Sequence, residues 1–162
     1  MKIEQFISQS LGEWSSMRSG HSLAFKQFED IRSKLKIASV AIDAPEIINL
    51  ITQNNISKEN IRTPFSISWE AESDWDPDDE TNSSSGQSFL IPIPTTNTEG
   101  RIIRSMGYIE KTKAISKYKF LSDGTFTLST DYGETIAEER IWFISAHVRC
   151  RSSVICTSKS LA

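Results

Sequence analysis

The stretch from Phe65 to Asp76 alternates with a period of two. Phe65, Ile67, Trp69, Ala71, Ser73 and Trp75 fall on one side of an extended chain, and Ser66, Ser68, Glu70, Glu72, Asp74 and Asp76 fall on the other. A helix does not sort residues this way, because its faces recur about every 3.6 positions. The segment therefore reads as a strand with a wet acidic face and a dry face carrying two tryptophans. Further runs rich in β-branched and aromatic residues lie at 13–25, 31–42, 88–94, 101–110, 114–121, 125–132, 136–144 and 148–157. Turn signals such as Glu99-Gly100 and Asp123-Gly124 separate them. Short strands in regular succession argue for an all-β antiparallel meander. About nine to ten strands suit a closed up-and-down β-barrel that holds one small ligand inside.

Two segments break the pattern. Ile3, Phe6, Ile7 and Leu11 recur at helical spacing over residues 2–11, and Gly12 stops the run, so an amphipathic N-terminal helix is expected to plug or cover something. Asp43 reads as the N-cap of a second helix, with Pro45 and Glu46 in its first turn and an apolar stripe of Ile47, Ile48, Leu50 and Ile51 running up to Asn54. This helical insert follows the second strand, and a shorter helical turn is expected from Ser57 to Ile61. Residues 76–86 contain Pro77 and no apolar side chain. They read as a mobile acidic loop and not as a domain linker, leaving residues 1–162 as a single domain.

The formal net charge of -3 becomes informative once it is located. Seven of the 21 acids sit in the eleven residues from Glu70 to Glu80, leaving 14 against 18 bases elsewhere. The body is mildly basic, which suits an anionic ligand and is too weak to argue for nucleic acid. No apolar run reaches the roughly 18 residues that span a bilayer, and no basic segment followed by an apolar core opens the chain. Neither secretion nor membrane insertion is expected. Cys150 and Cys156 share one strand, where their Cα atoms are roughly 20 Å apart at the rise of an extended chain, well beyond disulfide reach. With His21 and His147 the only histidines, no metal site is expected.

Gly12-Glu13-Trp14 has the G-x-W form that opens lipocalin-type barrels, with Trp14 sealing one end. The C-terminal hairpin carries more. Glu139-Arg140-Ile141-Trp142-Phe143 leads through Ser145-Ala146-His147 into Val148-Arg149-Cys150-Arg151-Ser152-Ser153. Arg149, Arg151 and Ser153 share one face of the second strand, and Val148, Cys150, Ser152, Val154 and Cys156 share the other. The arginines either coat a solvated outer face or turn inward to clamp carboxylates or phosphates. A one-residue change in register decides whether they share a face with Glu139 or with Trp142.

The run from Gly12 to Phe25 (GEWSSMRSGHSLAF), together with Glu139–Phe143 and Arg149–Ser153, resembles the S-type phycobiliprotein chromophore lyases (the CpcS/CpeS family) essentially end to end. Ala146-His147, where the family usually has Pro-Asn, and Gly20 depart from its pattern. The resemblance implies a lipocalin-like (calycin) barrel that binds an open-chain tetrapyrrole, or bilin, and delivers it to a cysteine of an apo phycobiliprotein subunit, phycoerythrin or phycocyanin, as a thioether. The bilin is a substrate, phycoerythrobilin by overall resemblance or otherwise phycocyanobilin, and no cofactor is held permanently.

Carried over by position, the resemblance assigns Arg18, Arg149 and Arg151 to propionate and carbonyl contacts. Trp69 and Trp75 go to stacking or rim contacts, Glu139 to the pyrrole nitrogens, and Ser153 to a supporting hydrogen bond. Glu139 and Arg149 are the pair implied in catalysis, while His21, Arg140 and Trp142 are weaker candidates. The nucleophile is the acceptor's cysteine thiolate, which adds to the ethylidene carbon of the terminal ring. The lyase contributes orientation and protonation of the chromophore, leaving Cys150 and Cys156 as packing residues. Competing readings are a bilin carrier without transfer activity and a generic lipocalin-type binding protein, the latter disfavoured by several arginines where a fatty acid needs one clamp. The family also implies a cyanobacterial cytoplasmic or plastid stromal location, and a homodimer or a paralogous lyase as partner.

Overall fold

A computed structural model describes residues 2–22, 27–73, 84–105 and 115–157. Among the described residues, nine strands form one antiparallel sheet in strict sequential order. They are β1 (Gly12–Ser22), β2 (Gln27–Ser39), β3 (Phe65–Ser73), β4 (Ser84–Pro94), β5 (Glu99–Arg104), β6 (Ile115–Phe120), β7 (Phe126–Asp131), β8 (Thr135–Ser145) and β9 (Val148–Thr157). The sheet curls until its ends approach across aromatic side chains, with the Trp14 ring of β1 lying 6.3 Å from Phe143 of β8. The expected lipocalin-like up-and-down barrel is thus present, with β1 and β9 ending the hydrogen-bonded ladder.

Helix α1 (Ile3–Ser10) closes one end of the barrel. Its buried face is Ile3, Phe6, Ile7 and Ser10; the first three are the residues that the helical spacing marks out, whereas Leu11 is the C-cap beyond the last turn and is exposed. Phe6 stacks on Phe126 at 4.3 Å between ring centroids and meets Phe120 and Phe143 edge-on at 5.8 Å. Such aromatic pairs add to the burial of their area. The helix hands over to β1 through Gly12, whose φ of +126° is a conformation that favours glycine. Trp14 then ties the junction by donating its indole N–H to the Ser10 carbonyl at 2.8 Å.

Helix α2 (Pro45–Gln53) packs on the opposite side of the sheet. Ile47 and Ile51 join Ile61, Ile91, Ile93 and Ile103 in a second core outside the barrel. Strands β4 and β5 are consequently covered on both faces, which explains the unbroken apolar runs Leu90-Ile91-Pro92-Ile93 and Ile102-Ile103. The N-cap of α2 is Ala44 and not Asp43. Pro45 biases the residue before it to extended geometry, and Ala44 has ψ 143°, so the cap falls immediately ahead of the proline. The later helical turn is a 3-10 segment, Lys58–Asn60. Among the described residues no helix is long and apolar enough to cross a membrane.

The expected acidic loop is shorter at its far end than 76–86. Ser84, Ser85 and Gly86 already belong to β4 and pair with Ala71, Glu70 and Trp69. A Cβ on Gly86 would lie 2.4 Å from Cζ2 of Trp69, so the missing side chain is the space in which the indole lies. Glycine thus carries a packing role here that composition alone reads as a loop. Residues 74–83, including Trp75, lie outside the described residues, as do 23–26 at the end of the first expected strand.

Replacing Phe6 with Ala removes a ring only 5% exposed. The expected loss is about 3–5 kcal/mol of stability, read as a lower midpoint in denaturant unfolding. Replacing Leu11, at the solvated end of the same segment, is expected to cost much less.

Candidate functional site

Between α1 and the curled sheet lies a cavity of about 400 Å³, within the range of small-molecule sites, roughly 300–1,000 Å³. Its lining combines apolar and polar groups. Ile3, Phe6 and Ile7 of α1, with Phe126 and Ile141, are among the apolar ones. Ser16, Ser33 and Ser88, small side chains of β1, β2 and β4, leave space and offer hydroxyls. Against these walls stand three guanidiniums, Arg104, Arg149 and Arg151, and one carboxylate, Glu139.

The inward turn of the β9 arginines follows from the hairpin. Ser145 pairs with Val148 across the Ala146-His147 turn, and a bulge between Phe143 and Ser145 then sets Arg149 opposite Phe143. Arg151 is opposite Ile141, and Ser153 is opposite Glu139. Directly opposed residues of an antiparallel pair share a face, so the arginines join the inner row of Phe143, Ile141 and Glu139. Trp142 and Arg140 take the outer face and are exposed, and Cys150 is paired with Trp142. Cys156 is exposed as well, and no cysteine lines the cavity.

Arg151 donates through Nη2 to Oε1 of Glu139, forming an ion pair at the cavity wall. Its two partners are unequally covered, with side chains 51% and 20% exposed for Arg151 and Glu139. Arg149 is more deeply placed. Its guanidinium lies 5.8 Å from the Phe6 ring centroid, within cation–π range. Burial, and then the like charge of Arg151, pull its pKa down to about 10, while Glu139 opposes the change. Arg149 therefore stays a cation at neutral pH, although it sits where a charge is poorly solvated. Its Nε is buried without a hydrogen-bond partner among the described residues.

Of the residues singled out in the sequence, Trp69, Glu139, Arg149 and Arg151 meet at the cavity. Trp69 reaches it from the alternating strand, together with Phe65 and Ile67. Ser153 lies on the same inner row beside Glu139 and is exposed, beyond the cavity lining. Arg18 pairs with Ile31 and His21 with Phe28 in the β1–β2 ladder. The side chains of Arg18 and His21, and all of Trp75, lie outside the described residues.

Arg104 is the lining residue that sequence reasoning misses. In Arg101-Ile102-Ile103-Arg104 two arginines bracket two isoleucines, and alternation alone does not say which pair faces inward. The outer core under α2 decides it. Ile103 packs there, so Ile102 and Arg104 face the cavity. Among the described residues no group of three or more His, Cys, Asp or Glu side chains gathers as a metal site.

Comparison with known proteins agrees with this architecture. The family described as CpeS-like protein matches residues 2–162. The chain is 42% identical over 160 residues to chromophore lyase CpcS/CpeS 3 of Trichodesmium erythraeum, covering 98% of this chain and 91% of the relative. It is 36% identical over 157 residues to chromophore lyase CpcS/CpeS of Thermosynechococcus vestitus, covering 96% and 84%. The solved structure of the S-type phycobiliprotein lyase CPES from Guillardia theta superposes with a TM-score of 0.85 at 33% identity, covering 98% of this chain and 84% of that one. By the match along its length and the shared barrel, the chain belongs to the CpeS-like family of chromophore lyases.

Proposed function

We propose that the protein is a bilin lyase that holds an open-chain tetrapyrrole in the barrel cavity and delivers it to a cysteine of an apo phycobiliprotein subunit. The observation that carries this reading is the composition of the cavity: among its described lining residues three guanidiniums stand against one carboxylate, set among apolar and aromatic side chains. A bilin needs both, having two propionates and a long conjugated body. Arginine forks match carboxylates, and the exposed part of the Trp69 indole offers a stacking surface.

Glu139 is the candidate for the pyrrole nitrogens. Only its Oε1 is engaged by Arg151 among the described contacts, so the second oxygen is available to an N–H donor. In this reading a protonated tetrapyrrole is stabilised by the carboxylate, while Arg151 keeps that carboxylate in place. The absence of a cysteine from the cavity lining supports the assignment of the nucleophile to the acceptor. The acceptor thiolate forms the C–S bond at the ethylidene carbon, and the exocyclic double bond takes up a proton at the ring carbon. The lyase's share is orientation, exposing one face of that carbon. The bilin is phycoerythrobilin by overall resemblance, and the acceptor a phycoerythrin or phycocyanin subunit.

Purified protein mixed with the bilin and then with apo subunit is expected to give a change of visible spectrum followed by a zinc-fluorescent band on a denaturing gel. A spectral change with no covalent band would replace the lyase by a carrier. Glu139→Gln is expected to alter the absorption of the bound bilin more than its affinity; an unchanged spectrum would remove Glu139 from the nitrogens. Arg149→Leu is expected to weaken bilin binding about tenfold to a hundredfold, the range for a lost charged hydrogen bond, as read by absorption titration.

A further inference from the structure

Arg104 ends β5, directly opposite Leu90 of β4 and two residues beyond Ile102 on the inner face. Its Nε is buried and has no hydrogen-bond partner among the described residues. The Nε of Arg149 is in the same condition. A buried donor on a charged group is expensive to leave unsatisfied, and its persistence in a cavity points to a partner that arrives from outside. Arg151, by contrast, is already compensated by Glu139. Among the described lining residues three guanidiniums stand against one carboxylate, and the two without an ion-pair partner there are Arg104 and Arg149.

These two arginines enter the cavity from different walls, since β5 and β9 are four strands apart in the sheet order. Apolar side chains lie around the same cavity, among them Leu90, Ile102 and Leu128. The complement of this arrangement is an elongated molecule with an apolar body and two anionic groups, one for each wall. Carboxylates fit the fork that Nε and Nη present, two parallel N–H donors meeting two oxygens.

We propose that Arg104 is a second carboxylate anchor, which with Arg149 makes the cavity selective for a ligand carrying two free carboxylates. The proposal rests on the reading of the cavity as a bilin site and adds to it: the two propionates are gripped from two walls, and esterification of the propionates removes the selectivity.

The test is absorption titration with phycoerythrobilin and with its dimethyl ester. The native protein is expected to bind the free acid more tightly than the ester. Arg104→Met keeps the side-chain stem and removes the guanidinium. It is expected to weaken binding of the free acid about tenfold or more and to leave the ester's affinity unchanged. Without ligand this variant is expected to melt at or above the native temperature, because a guanidinium whose buried Nε has no partner among the described residues has been removed. Arg104→Lys, which keeps the charge and loses the fork, is expected to fall between the two for the free acid. Native-like binding of the free acid by Arg104→Met, or equal losses for acid and ester, would overturn the proposal. So would a ligand-free variant that melts well below the native protein, which would make Arg104 a structural residue. Failure of the native protein to bind either compound would overturn the bilin reading itself.

Discussion

The stacking of Phe6 on Phe126 inside the ring formed with Phe120 and Phe143 is the contact on which the closed end of the barrel depends. A curled sheet whose ladder ends at β1 and β9 has an inner surface that must be covered from somewhere. Helix α1 supplies that cover, and Trp14 fixes its position by bonding to Ser10. The cavity is the unfilled remainder of this packing. Its shape is set by a helix of eight residues.

The same ring also serves the polar lining of the cavity. Phe6 faces other aromatics within its cluster and receives the guanidinium of Arg149 over its face. A cation buried this far is tolerated because the π surface and the more distant Glu139 offset part of its lost hydration. In the proposed reading, stability and ligand affinity are thereby drawn from one aromatic side chain. Charge is arranged by rank: Arg151 is neutralised and half-exposed, whereas Arg149 and Arg104 keep buried Nε donors unmet among the described residues.

Much of this was legible in the residues. Strict alternation places Phe65, Ile67 and Trp69 on the inner face without ambiguity, because only one parity is apolar. Helical spacing identifies the face of α1 that plugs the barrel for the same reason. Reading fails where both parities are equally good. The β5 strand is one case, since a second hydrophobic core outside the barrel makes Ile103 as buried as Ile102. The β9 strand is another, because a bulge is invisible to a pattern of period two. Gly86 was lost to the polar company it keeps, its purpose lying in the indole across the ladder.

The bulge between Phe143 and Ser145 has a consequence for how such a chain tolerates change. With Ala146-His147 as its turn, the hairpin holds Arg149, Arg151 and Ser153 on the inner row. A deletion or insertion of a single residue there would exchange the faces of β9 along its whole length, sending Arg149 and Arg151 to solvent and bringing Cys150 and Cys156 toward the ligand. Under the proposed delivery of a chromophore to an acceptor thiol, the scaffold would then present thiols of its own to the same chromophore. The hairpin is thus a place where length is not free.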